Sequence, residues 1–330
     1  MHSEPDALPL RVQAHEAESG MSYVLRTLCA NGISVGRAGQ WLGFRIPQRF
    51  SARQIDRLAW VTGTGSDWLQ ARFLSQQRGL DRMVWEYLGH HFLPGTGLRD
   101  LSTPICVSCV LEHGYCEASW TVSSACICPH HRTPLLDCCP NCGTPVTWNR
   151  PAVDVCRCGR YFQDPPGAPT IPPPSVTTWV QWIRWRLASG SDVGAVTTQP
   201  GLPRLLGLLS VDGAFRVVHA FGVLTNPHQV PRTADALRHQ SPAAVCDIVK
   251  RGLDRLGAID GTSINAQAIA SSVHLPELIR LARSGIHNAD RIVAKQLLGT
   301  LTGKPPKSKP SSAHPPTGQL DLFPADDDGR

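Results

Sequence analysis

The residues whose types and spacing could do chemistry are the cysteines. Of the twelve in the chain, all but Cys29 and Cys246 fall between Cys106 and Cys158. A Cys-x-x-Cys knuckle sets two sulfurs about 4 Å apart, close to the edge of a tetrahedron built on ~2.3 Å zinc–sulfur bonds. Two quartets can be drawn on that basis. Cys106-x-x-Cys109 pairs with Cys128-x-x-His131, and Cys139-x-x-Cys142 pairs with Cys156-x-Cys158. The expected cofactor is zinc, as two structural ions, because eight donors close two tetrahedra and leave no position for water. Alternatives stay open: Cys126-x-Cys128 could serve as a pair, and His130 competes with His131, which the i, i+3 spacing favours. Cys116, Cys126, Cys138, Cys29 and Cys246 read as small buried apolar residues.

No other set of residues assembles a catalytic apparatus. HExxH, the HxE plus PCxxC pairing of zinc deaminases, GxGxxG and a phosphate loop are absent. His15-Glu16 and Glu112-His113 read as chance neighbours, so the expectation is a protein that is not an enzyme. Lys and Arg number 32 against 26 Asp and Glu, and the excess is uneven. Arginines crowd the stretch from Arg37 to Arg82, with Arg45, Arg49, Arg53 and Arg57 around one short helix, an arrangement able to meet phosphates of DNA or a partner. No apolar run reaches the ~20 residues that span a bilayer. The opening MHSEPDALPL lacks the regions of a signal peptide. A cytoplasmic, nucleoid-associated protein without membrane contact is expected, and thiol buffers there keep cysteines reduced.

The elements that position these residues give a mainly α fold with small zinc-stabilised β modules. Residues 1–100 form an N-terminal helical, helix-turn-helix-like domain: Ser19 caps a helix carrying Tyr23, Val24 and Leu28, Val35 to Leu42 make a second, and Ser51 caps a third before the Thr62-Gly63-Thr64-Gly65 turn. Residues 101–163 form a double zinc module of the zinc-ribbon type, with the Thr/Val/Ser/Cys texture of small hairpins. The prolines of 164–175 exclude helix and make a linker. Helical spacing resumes over 176–302, and 303–330 is too rich in Pro, Ser and charge to pack.

The string CVSC, then Trp120, then CPHHRTPLLDCCPNCG resembles the TniQ/TnsD family of transposon target-selection proteins, as do LPLRVQAHEAESGMSYVLRTLCANG at the start and LAWVTGTGSDWL after it. Val107 departs from the family's usual proline, and the cysteine count is higher. The resemblance covers about residues 8 to 160. It implies a non-enzymatic adaptor that links target DNA, or a complex marking it, to an AAA+ ATPase and through it to a DDE transposase. A zinc-dependent transcriptional regulator is the alternative, and a zinc module that binds protein alone is a third. Residues 263–286 resemble the helix-turn-helix of excisionase-like proteins, with Val273 at the turn and His274, Glu277, Arg280 and Arg283 facing outward, the two arginines toward DNA. In the tail, Gln319, Leu320, Asp321, Leu322 and Phe323 resemble the peptide with which bacterial proteins dock on the replicative sliding clamp. A homodimer is compatible with all of this.

Overall fold

The structure is a computed structural model, and it describes residues 7–42, 50–79, 82–94, 97–99, 103–163, 171–190, 199–226, 229, 240–260 and 266–303. The chain divides into two compact units, one of residues 1–192 with 232–249, the other of 193–231 with 250–330. Described residues are mainly helical, with one small sheet.

The first unit opens with α1 (Gly20–Ala30), where the Ser19 hydroxyl accepts from the Ser22 amide and so satisfies one of the free amides of the first turn. Glu18 beside it is fully buried, and its carboxylate accepts from Ser22 Oγ at 2.8 Å and Arg26 Nη1 at 2.6 Å. After α2 (Ala38–Leu42) comes α3 (Ala52–Thr62), started by a reciprocal capping box between Ser51 and Gln54 and ended by Gly63 at φ 72°, a conformation that favours glycine. A three-residue turn leads to α4 (Ser66–Arg72). Helix α1 separates two cores. Tyr23, Val24 and Leu28 pack with Leu42, Ile55, Leu58 and Leu69 of the helices, whereas Leu25 packs into the cysteine-rich stretch.

A meander that the sequence reading lacks follows: β1 (Ser75–Gly79), β2 (Arg82–Tyr87) and β3 (His90–Phe92), antiparallel, with Gln76 opposite Trp85 and Tyr87 opposite His90. Val84, Trp85 and Tyr87 are buried, so burial falls on both faces of β2, and with Met83 exposed the strand lacks the alternation that marks a strand in sequence. Tyr87 Oη donates to the Ala118 carbonyl at 3.0 Å and ties the meander to the 3-10 turn Ala118–Thr121.

The cysteine-rich stretch holds one helix, α5 (Val107–His113), and its expected β character takes the form of isolated bridges, Ile105 with Leu136, Ile127 with Pro134 and Cys138 with Pro145. Further on, α6 (Pro174–Ser189) begins with proline in its first turn, where the missing amide costs nothing, and buries Trp179 and Trp182 as a stacked pair.

In the second unit every residue of α7 (Val211–Gly222) is buried. The part of α8 (Pro242–Asp260) from Lys250 onward belongs to this unit and lies against α7 at Gly252, which leaves no room for a side chain, since a Cβ there would stand 2.3 Å from the Val218 carbonyl oxygen. The short α9 (Ala266–Ala270), α10 (Leu275–Ser284) and α11 (Asn288–Thr302) complete it. Over its described residues, segment 263–286 is thus helix, turn, helix, with Val273 buried at the turn. One expectation is corrected here. Glu277 does not face outward: it is 1% exposed and accepts from Arg216 Nη1 at 2.6 Å, while His274 is half-buried. The amphipathic spacing of α10 places Glu277 beside Leu278 and Leu281, and a buried cation on α7 draws it inward.

Candidate metal centres

Both quartets are built from tight turns that aim several polar atoms at one point. In the first, Cys106 caps α5 and Cys109 lies in its first turn, so the helix presents both sulfurs on one side. Opposite them the loop from Cys128 to His131 turns back sharply: the Arg132 amide donates to the Cys128 carbonyl at 2.9 Å, Arg132 adopts φ 52°, and the His131 amide points at Cys128 Sγ at 3.4 Å. His131 Nδ1 then stands 3.4 Å from Cys106 Sγ, 3.2 Å from Cys109 Sγ and 3.6 Å from Cys128 Sγ, with Cys109 and Cys128 sulfurs 3.5 Å apart. The second quartet repeats the turn with glycines. Gly143 at φ 69° closes the Cys139 knuckle and Gly159 at φ 83° closes the Cys156 one. Cys139 Sγ lies 3.9 Å from Cys158 Sγ, and Cys142 Sγ 3.7 Å from Cys156 Sγ.

In each quartet the four donor atoms lie within 4.8 Å of one another, and the separations match the ~3.7 Å edge of a tetrahedron with ~2.3 Å bonds. Electrostatics point the same way. Hydrogen bonds from Cys109 and Cys128 push the Cys106 thiol down, while Cys109 is pushed up because it must donate to Cys106 and would stand as a second anion there. The Thr144 hydroxyl, 3.0 Å from Cys142 Sγ, brings Cys142 down to about 6, and loss of solvation lifts Cys139 to about 11. Thiols this close resist becoming thiolates together unless a cation sits among them. Three thiolates with one imidazole in the first quartet, and four thiolates in the second, make donor sets suited to a d10 divalent ion such as zinc.

The eight residues drawn from spacing therefore fall into two clusters that could hold metal ions. His130 turns elsewhere, with Nε2 at 3.7 Å from Glu117 Oε1. Cys116 is fully buried against the Arg150 guanidinium, 3.3 Å from its Nη2, and Cys126 is buried outside both clusters, as expected, whereas Cys29 and Cys138 are exposed and Cys246 is half-buried. A residue that sequence reasoning passed over is Glu112, whose Oε1 lies 2.9 Å from His131 Nε2. Glu117, Arg184 and Trp185 line a cavity of about 720 Å3 along α6, in which Arg184 Nε donates to the buried Glu117 carboxylate at 3.0 Å.

Of the basic residues, Arg53 is exposed and Arg57 half-buried on α3, with Trp60 exposed a turn further on; Arg45 and Arg49 lie outside the described residues. Arg280 and Arg283 are placed on α10, with Arg280 exposed and reaching back to Glu277 at 3.3 Å. Gln319 to Phe323 lie outside the described residues.

No curated protein matches the chain. The TniQ family model matches residues 9–135, a span that takes in α1 to α5 and every donor of the first quartet and stops short of Cys139. The helices, the knuckle pair and the family match thus fall on the same residues, and the stretch 9–135 is similar to the TniQ family.

Proposed function

We propose that this protein is a non-enzymatic target-selection adaptor of a DNA transposon, stabilised by two structural zinc ions. The observation that carries the reading is the overlap of the TniQ match with a quartet whose four donors all come from the protein. Four protein donors fill a zinc tetrahedron and leave no place for a reacting water, so an ion there serves folding. Cys106, Cys109, Cys128 and His131 would hold one ion, and Cys139, Cys142, Cys156 and Cys158 the other. Zinc supplies positive charge that lets neighbouring thiolates coexist, and binding free energy of about 10–16 kcal/mol per ion in small modules of this kind. Arg45, Arg49, Arg53 and Arg57 around α3, and Arg280 and Arg283 on α10, are the residues offered to DNA or to a partner. An AAA+ ATPase, and through it a transposase, are the protein partners of the reading, and the cytoplasmic nucleoid is its setting. The sequence divisions at 100, 163, 175 and 302 belong to the same proposal.

The test has two arms. Metal analysis of the purified chain is expected to return two zinc ions, and stripping them with a chelator should lose the packing around Trp120, which shares a core with Cys106, Cys109, Cys128, Cys139 and Cys156. Fewer than one zinc per chain overturns the metal assignment. Co-purification with a transposition AAA+ ATPase is expected for an adaptor. DNA binding without any ATPase contact would favour the regulator instead.

A further inference from the structure

We propose that Glu112 is a positioning residue of the first zinc site, holding His131 in the tautomer that presents Nδ1 to the metal. The inference rests on the zinc reading above and adds to it the residue that selects and fixes the histidine.

The argument starts from helix geometry. Residues three apart in a helix share a face, and Cys106, Cys109 and Glu112 follow at three-residue steps from the cap of α5 to its last turn. One short helix thus carries two sulfur donors and, next along the same side, a carboxylate. His131 lies between them. Its Nδ1 faces three sulfurs at 3.2 to 3.6 Å, and its Nε2 faces Glu112 Oε1 at 2.9 Å. A neutral imidazole has one proton, and a carboxylate accepts but does not donate. Placing the proton on Nε2 satisfies Glu112 and leaves the Nδ1 lone pair toward the sulfurs. The opposite tautomer sets two acceptors against each other at Nε2 and turns an N–H toward the metal position.

The same bond distinguishes His131 from His130. His130 has its own acidic neighbour, Glu117, but its ring stands outside the cluster. Glu112 also has His113 within 4.0 Å of its other oxygen, a longer contact between two exposed side chains. The sequence-adjacent pair Glu112-His113 is therefore the weaker one, and the functional partner is nineteen positions away in the knuckle. His131 is 23% exposed and Glu112 54%, which makes this imidazole the exposed edge of an otherwise buried donor set. A chelator or competing water enters there, so a bond that holds the ring in place governs how fast the ion leaves.

Outer-shell partners of this kind change metal affinity about 10–100-fold when removed. The experiment uses the full chain loaded with zinc and follows release to a chromogenic chelator. Glu112→Ala is expected to speed the release of one of the two ions about 10–100-fold and leave the other unchanged. Glu112→Gln, which keeps an acceptor oxygen but loses the charge, should fall between Ala and wild type. Leu111→Ala, an exposed neighbour on the same helix, should release both ions at the wild-type rate. Long-range nitrogen–proton NMR of the zinc-loaded protein should show His131 protonated at Nε2. Unchanged release from Glu112→Ala in a protein holding two zinc ions overturns this assignment and leaves the zinc reading standing, as does a His131 ring protonated at Nδ1. Wild-type protein that takes up no zinc overturns both.

Discussion

A guanidinium cannot shed its proton inside a protein, so a buried arginine shows which acids must stay charged around it. Arg216, 2% exposed on α7, has Asp212 Oδ2 at 2.7 Å and Glu277 Oε1 at 2.6 Å. The two carboxylates are themselves almost wholly buried and depend on it. Arg216→Ala is expected to destabilise the second unit by about 3–5 kcal/mol, read by urea unfolding, because it leaves two carboxylates buried without their cation. His219, one turn along α7, titrates in the same neighbourhood. Burial first, then the charges of His274 and Arg216, hold it down to about 4 from an ordinary 6.5, against the upward pull of Glu277. The unfolded chain therefore takes up a proton between pH 6.5 and 4 that the folded unit refuses. Stability is full above pH 6.5 and falls as pH drops toward 4, by at most about 3 kcal/mol. His274 is lowered by burial too and adds to the loss with the same sign. Urea midpoints measured across that window should slope downward with acid, and His219→Gln should flatten the slope. None of this was legible in the sequence, since Arg216 and Glu277 are 61 positions apart and a glutamate on an amphipathic helix reads as solvent-facing.

Helix α3 shows what is legible at the scale of an element. Ser51 and Gln54 announce its start, Gly63 its end, and Ile55 and Leu58 its buried side, because caps and helical spacing are local properties written within a few residues. The β1–β3 meander escaped for the converse reason: Val84 on one face of β2 and Trp85 and Tyr87 on the other are all buried, and burial from afar erases the alternation that a strand otherwise displays. On α3, Arg53, Arg57 and the exposed Trp60 follow at steps of four and three, which puts two guanidinium groups and a ring along one side. Replacing Arg45, Arg49, Arg53 and Arg57 by Gln is expected to weaken binding to duplex DNA or to the partner. In the DNA case the slope of log K against log salt should flatten by about one for each phosphate that is no longer neutralised. Binding and transposition unchanged in the quadruple variant would return these arginines to the role of a solvated helix face.

At the scale of the whole molecule, the two clusters that could hold metal were readable because knuckle ligands come in close pairs, whereas the choice between His130 and His131, the exclusion of Cys126 and the contact of Glu112 with His131 needed three dimensions. The tail poses the opposite case, for Gln319-Leu320-Asp321-Leu322-Phe323 lies outside the described residues and its reading rests on sequence and chemistry alone. Three large apolar side chains stand in a stretch otherwise made mostly of Pro, Ser, Lys and Asp, a composition that cannot build a core of its own. A short peptide with such a pattern gains affinity by laying its apolar residues into a pocket on a partner, while a polar residue at its edge fixes the register. Leu320, Leu322 and Phe323 would supply the apolar contacts and Gln319 the hydrogen bond, which suits the sliding clamp that the motif's resemblance implies. A clamp marks replicating DNA without regard to its sequence, so an adaptor held on it would direct insertion toward such DNA. The expected result is saturable, micromolar binding of a labelled peptide spanning residues 315–326 to the clamp, abolished when Leu322 and Phe323 are both changed to Ala. Those two side chains carry most of the apolar area the peptide can bury, at about 2 kcal/mol or more each when fully enclosed, so removing both should weaken binding by two or more orders of magnitude. Equal binding by the double-alanine peptide, or none by the native one, rules out the clamp as a partner.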